Sequence, residues 1–129
     1  MIHISKVHHI AIICSNYEAS KEFYTKILGL TIVAENYRED RDSYKLDLAL
    51  NGEYIIEIFS FKDRPERPSQ PEALGLRHLA FAVPDINTAI AWLSQNNIAS
   101  EPVRVDAYTG KKFTFFADPD GLPLEFYES

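Results

Sequence analysis

Two histidines and two glutamates recur at matching places in this chain. His9 opens the run His9-Ile-Ala-Ile-Ile-Cys, and His78 opens His78-Leu-Ala-Phe-Ala-Val, 69 residues later. Glu57 follows His9 by 48 residues and Glu125 follows His78 by 47, each inside a short apolar segment, Tyr54-Ile-Ile-Glu57-Ile-Phe59 and Leu122-Pro-Leu-Glu125-Phe-Tyr127. Imidazole nitrogens and carboxylate oxygens suit divalent first-row cations. A single His in an apolar strand is ordinarily a packed, hydrogen-bonded residue, and a single Glu in alternation is ordinarily solvated. The repetition of both at one spacing is harder to explain as two accidents. Converging on one concave face, the four side chains would fill four positions around an ion and leave two for water or a substrate with adjacent oxygens. Such an ion acts as a Lewis acid, and a carboxylate that leaves it can serve as a base. The expected metal ligands are His9, Glu57, His78 and Glu125, with Glu125 or Glu57 as the catalytic base.

The elements that must position these residues also come twice. Val7–Ile13 and Leu76–Val83 are rich in apolar and β-branched residues and read as strands that carry the histidines among apolar neighbours. Tyr17–Leu28 has helical spacing of apolar residues with Gly29 as its stop, and Ile86–Gln95 is a second helix with Asp85 as N-cap. Alternating segments follow each helix: Thr31–Tyr37, Ser43–Leu50 and Glu53–Phe61, then Ser100–Asp106, Lys111–Ala117 and Pro123–Tyr127. Asn51-Gly52 is a strong hairpin signal, and Asp118-Pro119-Asp120-Gly121 marks a turn. The chain is therefore expected to be a single α+β domain over 1–129. It comprises two tandem βαβββ units, about 7–61 and 75–128, joined by the proline-bearing segment Phe61–Leu74. On strand period, His8 points away from His9 and reads as structural, because Arg77 stands at its counterpart. His3 reads as a solvated terminal residue.

Composition narrows the function further. A net charge of −6 gives no electrostatic grip on phosphate backbones, so nucleic acid is not an expected partner. No uninterrupted apolar run, Ile10–Cys14 included, exceeds five residues, against about 20 for a membrane-spanning helix. No signal peptide is visible, and the lone Cys14 forms neither an internal disulfide nor a cysteine-rich zinc site. A cytoplasmic protein acting on a small molecule is expected.

The paired units, Phe23-Tyr24 before Leu28-Gly29, and the terminal Asp118-Pro119-Asp120-Gly121-x-x-x-Glu125 resemble the vicinal oxygen chelate superfamily. That group includes glyoxalase I, methylmalonyl-CoA epimerase, extradiol dioxygenases and the fosfomycin and bleomycin resistance proteins. The resemblance runs from about Val7 to Tyr127. It implies a curved, partly closed mixed sheet around a metal-binding cleft, with ligands on the first and last strands of each unit, which are the positions of His9, Glu57, His78 and Glu125. A His-Glu-His-Glu set is most similar to glyoxalase I, implying a metal-dependent lyase or isomerase acting through an enediolate or enolate. It also implies one divalent ion (Ni, Zn, Co or Mn ahead of Fe) and a homodimer, with the site within one chain or shared across two. In bacterial glyoxalase I an Arg and an Asn that help hold glutathione fall where this chain has Ile13 and Phe61, which argues against the glutathione hemithioacetal as substrate. Arg77, Arg104, Lys111 and Lys112 are the candidate replacements. The alternatives are an Fe(II) dioxygenase, disfavoured by the fourth ligand, and a metal-free binding or resistance protein, disfavoured by the preservation of all four.

Overall fold

The computed structural model describes all residues from Met1 to Ser129. The chain divides into two compact units, Met1–Pro65 and Glu66–Ser129, with the division inside the proline-bearing segment. In the first unit, β1 (Ile10–Cys14) is followed by α1 (Tyr17–Glu22), a π-helical turn (Phe23–Ile27), β2 (Thr31–Arg38), β3 (Ser43–Leu50) and β4 (Glu53–Ser60). The second unit has β5 (Leu79–Val83), α2 (Ile86–Gln95), β6 (Arg104–Val105), β7 (Lys112–Ala117) and β8 (Pro123–Glu128). Each unit forms an open, mixed four-stranded sheet with the same topology. The strand orders are β1-β4-β3-β2 and β5-β8-β7-β6, and the first and last strands of each unit are parallel neighbours. The α+β class and both βαβββ units follow the sequence pattern.

The period of two in each strand separates a sealed face from a half-open one. Leu46, Leu48, Ile56 and Ile58 are fully buried in the first unit, as is Leu124 in the second. Lys45, Asp47, Glu57 and Phe59 occupy the other, half-open face in unit one, and Phe113, Phe115, Glu125 and Tyr127 occupy it in unit two. Asn51 and Gly52, at φ 51° and 82°, make the tight turn between β3 and β4. A β-bulge between Leu48 and Ala49 then moves the register by one residue, so that Leu48 pairs with Ile56 and Asp47 with Glu57.

Some elements differ from the sequence expectation. The segment Tyr17–Leu28 is not a uniform α-helix. After α1 it widens into the π-helical turn, where the Leu28 N–H reaches the Phe23 carbonyl at 3.0 Å and the Thr25 hydroxyl donates to the Lys21 carbonyl at 2.6 Å. Gly29, at φ 76°, ends it as expected. Ser100–Asp106 contributes only the two residues of β6. Pro102 has no N–H to give the ladder, although the Glu101 N–H still reaches the Phe115 carbonyl at 2.9 Å. The strands expected from Val7 and Leu76 begin later, at Ile10 and Leu79, so His9 and His78 stand one residue before their strands rather than in the middle of them. Helix α2 has the expected limits and packs on β7 and β8, with Ile86 and Leu93 buried. No helix is long and apolar enough to cross a membrane.

Candidate metal centre

The two parallel strand pairs place each histidine beside its glutamate in the same way. In the first unit Ala11 pairs with Glu57, and His9 lies two residues before Ala11. In the second unit Ala80 pairs with Glu125, and His78 lies two residues before Ala80. In both units the imidazole and the carboxylate meet. His9 Nε2 is 3.8 Å from Glu57 Oε2, and His78 Nε2 is 3.3 Å from Glu125 Oε1. Ligands about 2.1 Å from one ion stand roughly 3.0–3.4 Å apart when they are adjacent in octahedral or tetrahedral geometry. The second pair has that spacing and the first is slightly wider.

Exposure repeats as well. The imidazoles are 35% and 34% exposed and the carboxylates 14% and 13%. Each carboxylate is thus largely withdrawn from water, while its histidine is exposed. Neither unit gathers three or more His, Cys, Asp or Glu side chains into a metal-holding cluster of its own. Each brings together one imidazole and one carboxylate. The donor chemistry, the spacing and the open imidazole edges fit a divalent cation.

The surroundings of the two pairs differ sharply. Around Glu57 they are polar. Tyr54 donates to Glu57 Oε2 at 2.9 Å and lies 3.1 Å from Asp47 Oδ1. Lys45 Nζ contacts both oxygens of Asp47 at 2.9 Å and lies 3.5 Å from Glu57 Oε2. The Asp47 carboxylate holds the Lys45 ammonium above the usual lysine range, and burial, followed by the hydrogen bond to Glu57, raises the Tyr54 phenol. The His9 ring stacks on Tyr54 with the planes 2° apart. Around Glu125 the surroundings are aromatic: Phe115 pairs with it across the ladder, and the His78 ring meets Phe115 edge-on at 5.0 Å.

Three residues of this environment, Lys45, Asp47 and Tyr54, escaped the sequence reading. His8 also departs from it. Instead of pointing away from His9, its Nδ1 lies 2.8 Å from His9 Nδ1, and its ring meets Tyr54 edge-on. Before β1 begins there is no strand alternation to separate the two side chains. His3 is exposed, as expected.

Within the second unit, a concavity of about 740 Å³ is lined by Arg77, His78, Glu101, Arg104 and Phe115 among others. The Arg104 guanidinium lies over the rings of Phe113 and Phe115, at 5.1 and 5.5 Å. Arg77 and Arg104 thus share a hollow with His78, whereas Lys111 and Lys112 do not line it. Of the two positions set against glutathione, Ile13 is 54% exposed, and Phe61 stacks on Phe59 beneath the guanidinium of Arg38.

Residues 6–126 match the model of the Glyoxalase/Bleomycin resistance protein/Dioxygenase superfamily, and the chain belongs to that superfamily. It is 62% identical to the uncharacterized protein YaeR of Escherichia coli (strain K12), over 99% of both chains. The crystal structure of a glyoxalase family protein from Enterococcus faecalis superposes with a TM-score of 0.90 at 53% identity, covering 96% of this chain and 98% of that one. More distantly, the metallothiol transferase FosB of Staphylococcus epidermidis is 30% identical, over 96% of this chain and 84% of its own length.

Proposed function

We propose that His9, Glu57, His78 and Glu125 together bind one divalent cation, Ni, Zn, Co or Mn, and that the chain is a metal-dependent lyase or isomerase acting on a small substrate with adjacent oxygens. The observation that carries this reading is the duplicated His–Glu pair. The same two donors sit at the same ladder position in both units with nearly equal exposure. A buried carboxylate is costly unless it is paired or bound to a metal. A divalent ion would satisfy the imidazole and the carboxylate of each pair together. The similarity to a metallothiol transferase supports a metal in this setting.

A bound ion would supply Lewis acidity toward two neighbouring substrate oxygens. The chain's residues supply the rest. His9 and His78 offer Nε2, and Glu57 or Glu125 moves a proton at the carbon beside the polarised oxygen. Arg77 and Arg104 favour an anionic group on the substrate. The glutathione hemithioacetal is not the proposed substrate, since Ile13 and Phe61 offer its carboxylates neither charge nor a side-chain donor. The proposed working form is a cytoplasmic homodimer. The exposed Ile32 and Val33 on the edge strand β2 support a second copy as partner.

The test is elemental analysis of protein purified without chelator, followed by titration of the stripped protein with Ni²⁺, Zn²⁺, Co²⁺ and Mn²⁺. One equivalent of one of these ions per site supports the reading. Tightly held Fe with oxygen consumption would favour a dioxygenase, and absence of binding to any of the ions would leave a metal-free binding protein.

A further inference from the structure

The two halves of the proposed centre share their ligands but not the residues behind them. In unit one, Lys45 and Asp47 on β3 and Tyr54 on β4 surround Glu57. At the matching ladder positions of unit two stand Phe113 and Phe115, and Leu122 precedes Glu125 by the same three residues that separate Tyr54 from Glu57. The Tyr54 hydroxyl at 2.9 Å and Lys45 Nζ at 3.5 Å approach Glu57 Oε2, which lies 3.8 Å from His9 Nε2. Lys45 is in turn held by both oxygens of Asp47, so the Lys45–Asp47 pair adds no net charge beside the site.

We infer that Tyr54, Lys45 and Asp47 are positioning residues that fasten the Glu57 carboxylate and hold it beside His9. Each residue has a distinct part. Tyr54 supplies the hydrogen bond that fixes the carboxylate plane. Lys45 adds a second contact to the same oxygen. Asp47 holds Lys45 in place and cancels a positive charge that would otherwise repel an incoming cation. Partners of this kind orient the ligand and typically raise metal affinity 10- to 100-fold. The inference rests on the four-ligand reading above and specifies how one of its ligands is presented.

The experiment uses the full-length protein stripped of metal and titrated with Co²⁺, reading affinity by calorimetry and coordination by the visible absorption of the bound ion. Tyr54→Phe, which keeps the ring under His9, is expected to weaken Co²⁺ binding about tenfold and to alter the absorption band, while the melting temperature of the metal-free protein stays near that of the parent. Lys45→Gln is a second, independent variant with the same expected direction, and Lys45→Arg is expected to restore most of the affinity. If Tyr54→Phe and Lys45→Gln bind Co²⁺ like the parent with an unchanged spectrum, while Glu57→Ala loses binding, the fastening is wrong and the metal centre stands. If Glu57→Ala itself binds Co²⁺ like the parent, the ligand set fails and the fastening with it.

Discussion

Asp47 and Glu57 face each other directly across the β3–β4 ladder, two carboxylates on one half-open face. Like charges so placed repel each other, and Lys45 lies between them, 2.9 Å from both oxygens of the first and 3.5 Å from the nearer oxygen of the second. Asp47→Asn is therefore expected to weaken binding of a divalent cation rather than strengthen it, by several-fold in a calorimetric titration. It removes the counter-charge of Lys45 and leaves an ammonium facing the site. If the repulsion between the carboxylates were the larger effect, the variant would bind the cation more tightly.

The ligand set predicts a graded series. His9→Ala, Glu57→Ala, His78→Ala and Glu125→Ala each remove a direct donor, and each is expected to lower the metal content of protein purified without chelator to a small fraction of the parent's. His8→Ala is expected to matter far less, at about tenfold or below in affinity. The Nδ1–Nδ1 contact of 2.8 Å lets His8 steady the ring of His9 without being a ligand. Equal losses in His8→Ala and His9→Ala would make His8 the ligand instead.

Away from the site, Glu35 on β2 accepts from Tyr17 and pairs with Lys21 at 2.8 Å. Lys21 first and Tyr17 second hold its carboxyl below the usual glutamate range. A depressed carboxylate pKa gives stability that is fully present above the unfolded-state value and is lost as pH falls through the folded-state value. Glu35→Gln should thus be less stable than the parent in urea unfolding near pH 7, with the gap closing as pH drops below about 4. A gap that persists undiminished at pH 2 would show that the interaction is not electrostatic.

Helix α2 begins at a well-formed cap. The Asp85 side chain accepts from the N–H groups of Asn87 and Thr88 at 2.9 and 3.1 Å, and Glu128 takes the Ile86 N–H at 2.9 Å. Asp85→Ala is expected to cost about 1 kcal/mol in equilibrium unfolding, with metal affinity unchanged because the cap touches neither His78 nor Glu125. Loss of metal along with stability would tie α2 to the centre.

The two His–Glu pairs were legible in the sequence because duplication repeats both the residues and their spacing, and a parallel pairing of the first and last strands brings the members of each pair together. The cluster around Glu57 was not, and the reason is local. The Asn51-Gly52 turn alone would set Asp47 opposite the buried Ile56. Leu46 and Leu48 can share the sealed face with Ile56 and Ile58 only after a one-residue shift, which the bulge at Leu48/Ala49 supplies. The conflict between turn and hydrophobic pattern was the available signal for Asp47. Tyr54 looked like one more aromatic residue at a strand start, and its role depends on a hydroxyl that a sequence pattern does not aim. His8 was misplaced because strand alternation was extended to residues that precede the strand.

The substrate prediction separates this chain from glyoxalase I. Ile13 is 54% exposed and apolar, and Phe61 is engaged with Phe59 and with the guanidinium groups of Arg38 and Arg41. Neither side chain can donate to a glutathione carboxylate. Losing a charge-assisted contact costs on the order of 1.5–3 kcal/mol, so two such losses amount to roughly two to four powers of ten in affinity. The cations that the second unit offers, Arg77 and Arg104, border the hollow that contains His78, together with Glu101, which lies 3.6 Å from Arg104. Protein loaded with Ni²⁺, Zn²⁺ or Mn²⁺ is therefore expected to turn over the methylglyoxal–glutathione adduct poorly or not at all. A kcat/KM of about 10⁴ M⁻¹s⁻¹ or more, within the ordinary enzyme range, would show that Ile13 and Phe61 do not exclude it. The complementary measurement is Arg104→Ala. Small carboxylates are expected to bind the metal-loaded parent more tightly than this variant, and equal binding to both would remove Arg104 from substrate recognition.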